Sequence, residues 1–509
     1  MNPGSNRQNP HAASTDDPFN LVTSDWIPVR MADGASRLVS LDAAFRNGRD
    51  IVDLDCAPHE RIALTRLLVC ITHAALGAPN SPADWGNFGQ DMATAVPDYL
   101  HHPDILPHFN LLGDGPRFLQ VAVKNTKQEH LLAFLEFKFA SNPTLFDHAA
   151  GEEREMSHDQ LALNLLTFQN FFIGGCMGPA KNGGVTGNGP ALKFLHTYLR
   201  GANLRESILL NLLDKSCVSN FGRPVWEHFK PQPIALLPRL APQPCNIWLT
   251  KTRMWISQGI EYPLETEGKP KKIVFRDPYA TIVARQDSVR FLRANPDKAL
   301  WRDLYLILEL KAIEKYGEIA APLNLISHAS LLNCDHVSLW AGELIKGEKA
   351  VVVDAIESTF AVPTAMLKPE GLTVYQAGVD YAEKQGLQIS HAVDEYIKSD
   401  SSTSDRGIKQ LHASEKKSRT YKRRCIASAQ RHYWHALDRE YEVLLDLVGE
   451  GSSLRFEERG NQWGDLVRSA ARKAYEHACP RQTSRQIQAF AAGLRKLSMP
   501  KSKPSQENA

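Results

Sequence analysis

Residues 350–363 read AVVVDAIESTFAVP, and the change of character across them decides the fold class. Residues 350–360 are rich in Val, Ile and Thr, side chains that suit a pleated surface, and read as a β-strand. Near Val362-Pro363 the composition shifts: strand signals stop, and helical periodicity dominates nearly to the end. Trp434, Leu437, Tyr441 and Leu444 form one stripe in RHYWHALDREYEVLLDL, while Ala474, His477 and RQIQAFAAGLRKL supply later helices. Residues 399–405, SDSSTSD, form a polar connection between them. Amphipathic helices joined by polar loops predict a bundle.

Upstream the signals are mixed. Residues 19–30, FNLVTSDWIPVR, alternate apolar and polar side chains and stop at a proline, as a short strand does. Residues 59–77, HERIALTRLLVCITHAALG, carry Ile62, Leu64, Leu67, Leu68, Ile71 and Leu76 at helical spacing and close on Gly77 as a C-cap. Residues 160–172 repeat the pattern through Leu161, Leu165, Phe168 and Phe172. Asn203 with Glu206 is a variant capping box that starts a helix by satisfying its first free amides. Residues 271–278, KKIVFRDP, read as a strand entering a turn. The expected fold is α+β: a disordered N-terminus over 1–17, an irregular globular α+β domain over 18–362, an all-α helical bundle over 363–498 and a disordered tail over 499–509.

The composition agrees with two or more domains. The chain has 509 residues, 43% hydrophobic and 23% charged, too many for one ordinary core. The formal charge is only +2, so any contact with nucleic acid must come from local patches. The eight cysteines, at 56, 70, 176, 217, 245, 334, 425 and 479, include no Cys-x-x-Cys pair, which argues against a zinc ribbon and a dense disulfide framework. The N-terminus lacks the basic-then-apolar order of a signal peptide, and the most apolar stretch contains Arg66 and His73. A reducing cytoplasm is the expected compartment, with no membrane partner.

Between positions 171 and 201 the chain reads FFIGGCMGPAKNGGVTGNGPALKFLHTYLRG. Glycine lacks the Cβ that would clash at positive φ or in a very close approach to another molecule, so such density marks either a tight surface turn or a binding loop. Lys181 and Asn182 beside Gly183 and Gly184 offer bare amides next to a cation, which suits a polyanion or a base edge. No P-loop motif occurs, and Gly187-Asn188-Gly189 lacks the third glycine of a dinucleotide fingerprint.

No catalytic constellation emerges. Gly-x-Ser-x-Gly, His-Glu-x-x-His and calcium-loop motifs are missing, and His101, His102 and His108 in LHHPDILPHF read as solvated or capping residues. The expectation is no enzyme, no metal and no cofactor. The strongest charge signal is Arg406, Lys409, Lys416, Lys417, Arg419, Lys422, Arg423 and Arg424, interrupted only by Glu415. Such a run is either a solvated helix face or a patch that holds phosphates without reading sequence, with Lys416, Lys417, Arg423 and Arg424 as the contacts. Lys269, Lys271, Lys272 and Arg276 form a second cluster.

FNLVTSDWIPVR, VSLDAAF at 39–45, HERIALTRLLVCITHAALGAP, RFLQV at 117–121, the Phe146 region, the glycine loop with LRGANLRESILLNLL, and the C-terminal RHYWHAL and RKAYEHACPRQTSRQIQAFAAGLRKL resemble the CasA family, the large subunit of the type I-E CRISPR surveillance complex Cascade. The resemblance spans nearly the whole chain. It implies a globular α+β domain followed by a four-helix bundle, in a non-catalytic antiviral DNA reader. The implied partners are the other Cascade subunits with their crRNA, double-stranded DNA bearing a protospacer-adjacent motif (PAM), and a recruited helicase-nuclease.

In that family a glycine loop enters the minor groove of the motif, a lysine on a β-hairpin contacts the same step, and a wedge separates the strands beyond it. By resemblance the loop maps to Lys181, Asn182, Gly183 and Gly184, the lysine to Lys271 or Lys272, and the aromatic of a mobile loop to Phe146. The wedge stretch reads LLNCDHVSLW, which leaves Asn333, Cys334, Asp335 or His336 where the family usually carries glutamine. The zinc-binding cysteine cluster of some members is absent from the sequence. Two other readings stay open: a basic nucleic-acid-binding scaffold, and an enzyme that uses the glycine loop as a ligand cradle.

Overall fold

The computed structural model describes residues 19–80, 84–123, 129–136, 155–174, 187–227, 232–265, 273–285, 288–309, 319–328, 334–347, 352–401, 411–450 and 455–498. In chain order the elements are β1 (Ile27–Met31), β2 (Ser36–Val39), α1 (Leu41–Arg46), β3 (Ile51–Leu54), α2 (Pro58–Leu76), α3 (Trp85–Leu100), β4 (Glu129–Leu131), α4 (His158–Phe171), β5 (His196–Arg200), α5 (Leu204–Leu210), α6 (Leu237–Leu240), β6 (Cys245–Leu249) and β7 (Arg253–Gln258). There follow β8 (Ile282–Arg285), β9 (Ser288–Phe291), α7 (Leu304–Ile307), β10 (Ile319–Ala320), α8 (Leu323–His328), β11 (His336–Lys346), β12 (Val352–Pro363), α9 (Pro369–Ser401), α10 (Leu411–Asp438), α11 (Glu442–Gly449), α12 (Gln462–Ala478) and α13 (Ser484–Ser498). They divide between two compact units, Met1–Leu300 with Leu306–Ala361, and Trp301–Tyr305 with Val362–Ala509.

The first unit is mixed α/β, built on small sheets of order β2-β1-β3, β10-β8-β9, β12-β11-β5 and β4-β7-β6. Its core is threaded by α2, which starts where the Glu60 carboxylate accepts from the Ala57 amide at 2.9 Å and stops at Gly77, whose φ of 76° a side chain would resist. Leu64, Leu67, Leu68 and Ile71 are fully buried, and so is Arg66. The Arg66 guanidinium donates to Asp277 at 2.9 Å and to the Arg239 carbonyl at 2.8 Å, so this fully buried cation of α2 is neutralised inside the core. His73 is likewise satisfied. Its Nδ1 lies 3.0 Å from the Gly77 carbonyl, and its Nε2 accepts from the Leu213 amide at 3.1 Å.

Asn203 caps α5 by accepting from the Glu206 amide at 3.0 Å, while the Glu206 carboxylate accepts from the Ala202 amide at 2.8 Å. Two strand expectations change. Residues 19–24 form a turn around Asn20, whose side-chain oxygen accepts from the Val22 amide, and β1 begins only at Ile27 and runs through Pro28. Residues 273–278, the described part of the predicted 271–278 strand, form no strand beyond an isolated bridge from Ile273 to Glu265. Asp277 turns inward to meet Arg66 and caps the Tyr279 amide at 3.1 Å, and Arg276 donates to the Ala321 carbonyl at 2.8 Å. These side-chain bonds hold the chain in a turn.

In the second unit α9 packs against α10, α11, α12 and α13, and α10 against α12. Buried aromatic donors tie the helices together: Tyr433 to the Ala382 carbonyl at 2.7 Å, Tyr396 to Pro480 at 2.7 Å, Trp463 to Gly378 at 3.0 Å and Tyr475 to Phe490 at 2.9 Å. The polar stretch expected to connect helices from 399 is helical through Ser401, and its Asp400 pairs with Arg485 of α13 at 2.9 Å. The Trp434–Leu444 stripe is split by a turn at 439–441 into α10 and α11. No helix among the described residues is long and apolar enough to cross a membrane.

Candidate nucleic-acid interface

The glycine loop rises from a locked base. At the end of α4 the Phe172 carbonyl accepts from Gly189 at 2.7 Å and the Asn170 carbonyl accepts from Ala191 at 3.1 Å, while Asn188 Oδ1 accepts from Gly174 at 3.1 Å. Asn170, Phe171 and Phe172 are buried. A Cβ on Gly189 would run into the Asn170 carbonyl, so close approach rather than flexibility requires this glycine. Residues 175–186 lie outside the described residues, Lys181, Asn182, Gly183 and Gly184 among them.

At the far edge of that loop stands Gly187, where a Cβ would lie 3.7 Å from Glu261 Cγ and 3.9 Å from Glu261 Cα. Glu261 leads into the second basic cluster. There Glu265 bridges Ile273 antiparallel, and the Val274 amide donates to the Leu264 carbonyl at 2.9 Å. The residues flanking the segment 266–272 thus meet, and Lys271 and Lys272, both outside the described residues, precede Ile273 in the chain. Leu264 and Ile273 pack against Phe194, Ala280, Ile282 and Phe291, and Phe194 belongs to the chain that leaves the glycine loop. The two bases are therefore neighbours, which sequence distance did not disclose.

The wedge candidates lie elsewhere. Asn333 is outside the described residues; Cys334 and Asp335 form an exposed bend, and His336 opens β11. The Cys334 thiol donates to the His336 carbonyl at 3.1 Å. Because β11 runs antiparallel to β5, with Ser338 opposite Arg200 and Gly342 opposite His196, the bend extends past the Arg200 end. The glycine-loop base is at the His196 end, beside Phe171. At ~3.3 Å per residue, the run of β11 from His336 beside the bend to Gly342 opposite His196 separates the two by about 20 Å along the strand. Near the Arg200 end the cations are committed: Asp53 takes Arg200 at 2.5 Å and Arg61 at 2.6 Å.

The basic run falls on α10, with the side chains of Lys416 and Lys417 outside the described residues. Arg423 and Arg424 are exposed and, like Arg419, form no ion pair among the described residues. Lys422 differs, since it turns to α9 and pairs with Asp394, which also takes Lys398 at 2.9 Å. Burial pushes the Asp394 carboxyl up, yet the hydrogen bonds from Lys422 and Lys398 hold it below its usual range on balance. Arg431 and His435, also exposed, continue the face of Arg424 at helical spacing and went unnoticed because they sit in the aromatic RHYWHAL stretch. Phe146 lies outside the described residues.

Burial pushes His59, His73 and His328 down to about 4, and it drives the Cys56 and Cys70 thiols far up. Cys70, fully buried, is a structural thiol. His101 pairs with Asp42 at 3.0 Å and His102 accepts from the Asp104 amide at 3.3 Å, so these histidines cap and pair. No cluster of three or more His, Cys, Asp or Glu that could hold a metal occurs among the described residues.

The family model described as CRISPR-associated protein Cse1 matches residues 20–474. The CRISPR-associated protein CasA/Cse1 of Thermus thermophilus is 27% identical over 504 aligned positions, which cover 90% of this chain and 92% of that protein. The crystal structure of Thermus thermophilus CasA superposes with a TM-score of 0.74 at 21% identity, covering 94% of this chain and 98% of that one. A chain of a CRISPR RNA-guided surveillance complex superposes with a TM-score of 0.69 at 16% identity, covering 95% and 100%.

Proposed function

The chain belongs to the Cse1 family of CRISPR-associated proteins, and on that premise we propose that it is the large, non-catalytic subunit of a type I-E crRNA-guided Cascade complex. In this reading it recognises the PAM in double-stranded DNA, helps start the R-loop and recruits the helicase-nuclease that degrades the target, in the cytoplasm. Residues 18–362 carry PAM recognition, and residues 363–498 act as a four-helix bundle. The observation that carries the reading is the neighbourhood of two bases, the clamped stem at Phe172–Gly189 and the Glu265–Ile273 bridge. It supports a glycine loop and a lysine finger, Lys271 or Lys272, working on one stretch of duplex. A loop of bare backbone can approach minor-groove base edges that a side chain would block. Sequence is then read by RNA pairing, so short recognition is enough. The segment 333–336 serves as the wedge, where Asn333 or His336 replaces stacking, and Phe146 serves as the loop aromatic.

Gly183→Asp and Gly184→Asp test this, since each puts a Cβ and a carboxylate against the duplex phosphates. Complexes assembled with either variant are expected to lose capture of fully duplex target while keeping assembly and binding to DNA already unpaired at the motif and seed. Alanine gives an intermediate loss. Equal loss on both substrates assigns the loop to assembly or general affinity, and retained binding on both makes it a surface turn.

A further inference from the structure

An acidic side chain stands where the proposed DNA-reading edge is otherwise suited to a polyanion. Glu261 is exposed, forms no hydrogen bond or ion pair among the described residues, and lies beside the backbone of Gly187. Four positions further on, the chain enters the bridge that closes the lysine-bearing segment. A carboxylate set against a duplex is repelled by phosphates and by acceptor atoms, and its ionised form can only accept. In the minor groove A·T and T·A pairs present acceptors alone, whereas the guanine N2 amino group is a donor.

From this juxtaposition we propose that Glu261 is a specificity-determining residue that accepts a hydrogen bond from a guanine N2 amino group in the minor groove of the recognised motif. The inference rests on the proposed function, because it takes the Gly187 edge to face DNA. The backbone of Gly187 packs beside Glu261, which sets the carboxylate at the edge of the glycine loop, and Glu261 supplies an acceptor that only a G·C pair can use. At A·T the same carboxylate meets lone pairs and is penalised. Discrimination therefore comes from attraction at one base pair and from repulsion at the other. Nothing else in the duplex motif needs to contact Glu261 for this filter to act.

The test uses the assembled complex with the full chain and duplex targets in which each motif position carries, in turn, G·C, inosine·C, A·T or diaminopurine·T. Inosine removes the N2 amino group from guanine, and diaminopurine adds it to adenine. At one position the wild type is expected to prefer G over inosine, and diaminopurine over A, by about tenfold. Glu261→Ala should bring both ratios to about one, and Glu261→Gln, which keeps an acceptor without the charge, should hold an intermediate ratio. The ratio is insensitive to the fraction of complex that assembles, so a folding defect cannot imitate the result. Wild-type binding that depends on the motif but ignores the amino group at every position, or an unchanged ratio in Glu261→Ala, overturns this assignment alone. Wild-type binding with no motif dependence overturns the proposed function with it.

Discussion

Gly189 shows how a single missing atom fixes a loop. Its amide reaches the Phe172 carbonyl at 2.7 Å, and the space where a Cβ would stand is filled by the Asn170 backbone. Gly189→Ala must therefore push buried chain apart, and the expected cost is about 1–3 kcal/mol, the range of overpacked cores. The check is the urea midpoint of the purified variant against the wild type; an unchanged midpoint would show that the base yields freely. In the sequence, Gly183, Gly184, Gly187 and Gly189 looked alike, because composition records the lack of a side chain and not its reason. Glu261 was similarly invisible, since its meaning comes from Gly187, far away along the chain.

Elements were legible where local chemistry decides them. The helix read over 59–77 is α2, capped by Glu60 and ended by Gly77, and Asn203 starts α5 through its own side chain. The strand read over 271–278 was not, because Asp277 and Arg276 are held by Arg66 and Ala321, partners that no periodicity reveals. The same limit applies to α10, whose basic run looked uniform although Lys422 is tied to Asp394. That difference makes a prediction. Replacing Lys416, Lys417, Arg423 and Arg424 with alanine should weaken binding of the complex to all duplexes alike and flatten the salt dependence by roughly one unit of slope per lost phosphate contact. Lys422→Ala should leave the slope unchanged and instead loosen α10 from α9. Salt titrations of DNA binding distinguish the two, and a loss confined to motif-bearing DNA would reassign the patch.

At the scale of the molecule, fully buried histidines among the described residues mark the first unit. His73, His196 and His328 are buried, and all belong to the first unit, whereas His391, His432, His435 and His477 of the second are exposed. Two of the buried rings bracket one stretch of chain: His73 accepts from the Leu213 amide, and His328 Nε2 lies 3.2 Å from the Leu212 carbonyl. Burial lowers both from 6.5 to about 4, so the folded state resists a proton that the unfolded chain accepts. With the folded pKa depressed, their stabilisation is fully present above pH 6.5 and is lost as the pH falls towards 4, on the order of 3 kcal/mol per ring when complete. Hydrogen exchange, corrected for its intrinsic pH dependence, should therefore show α2, β5 and the 212–213 segment losing protection between about pH 6.5 and pH 5. His73→Gln cannot take up the proton, so its loss over the same interval should be smaller than that of the wild type, even if its stability at neutral pH is lower. An equal loss in both proteins would mean that acid acts on the first unit through other groups, and that the histidine clamp on Leu212 and Leu213 does not set its response to pH.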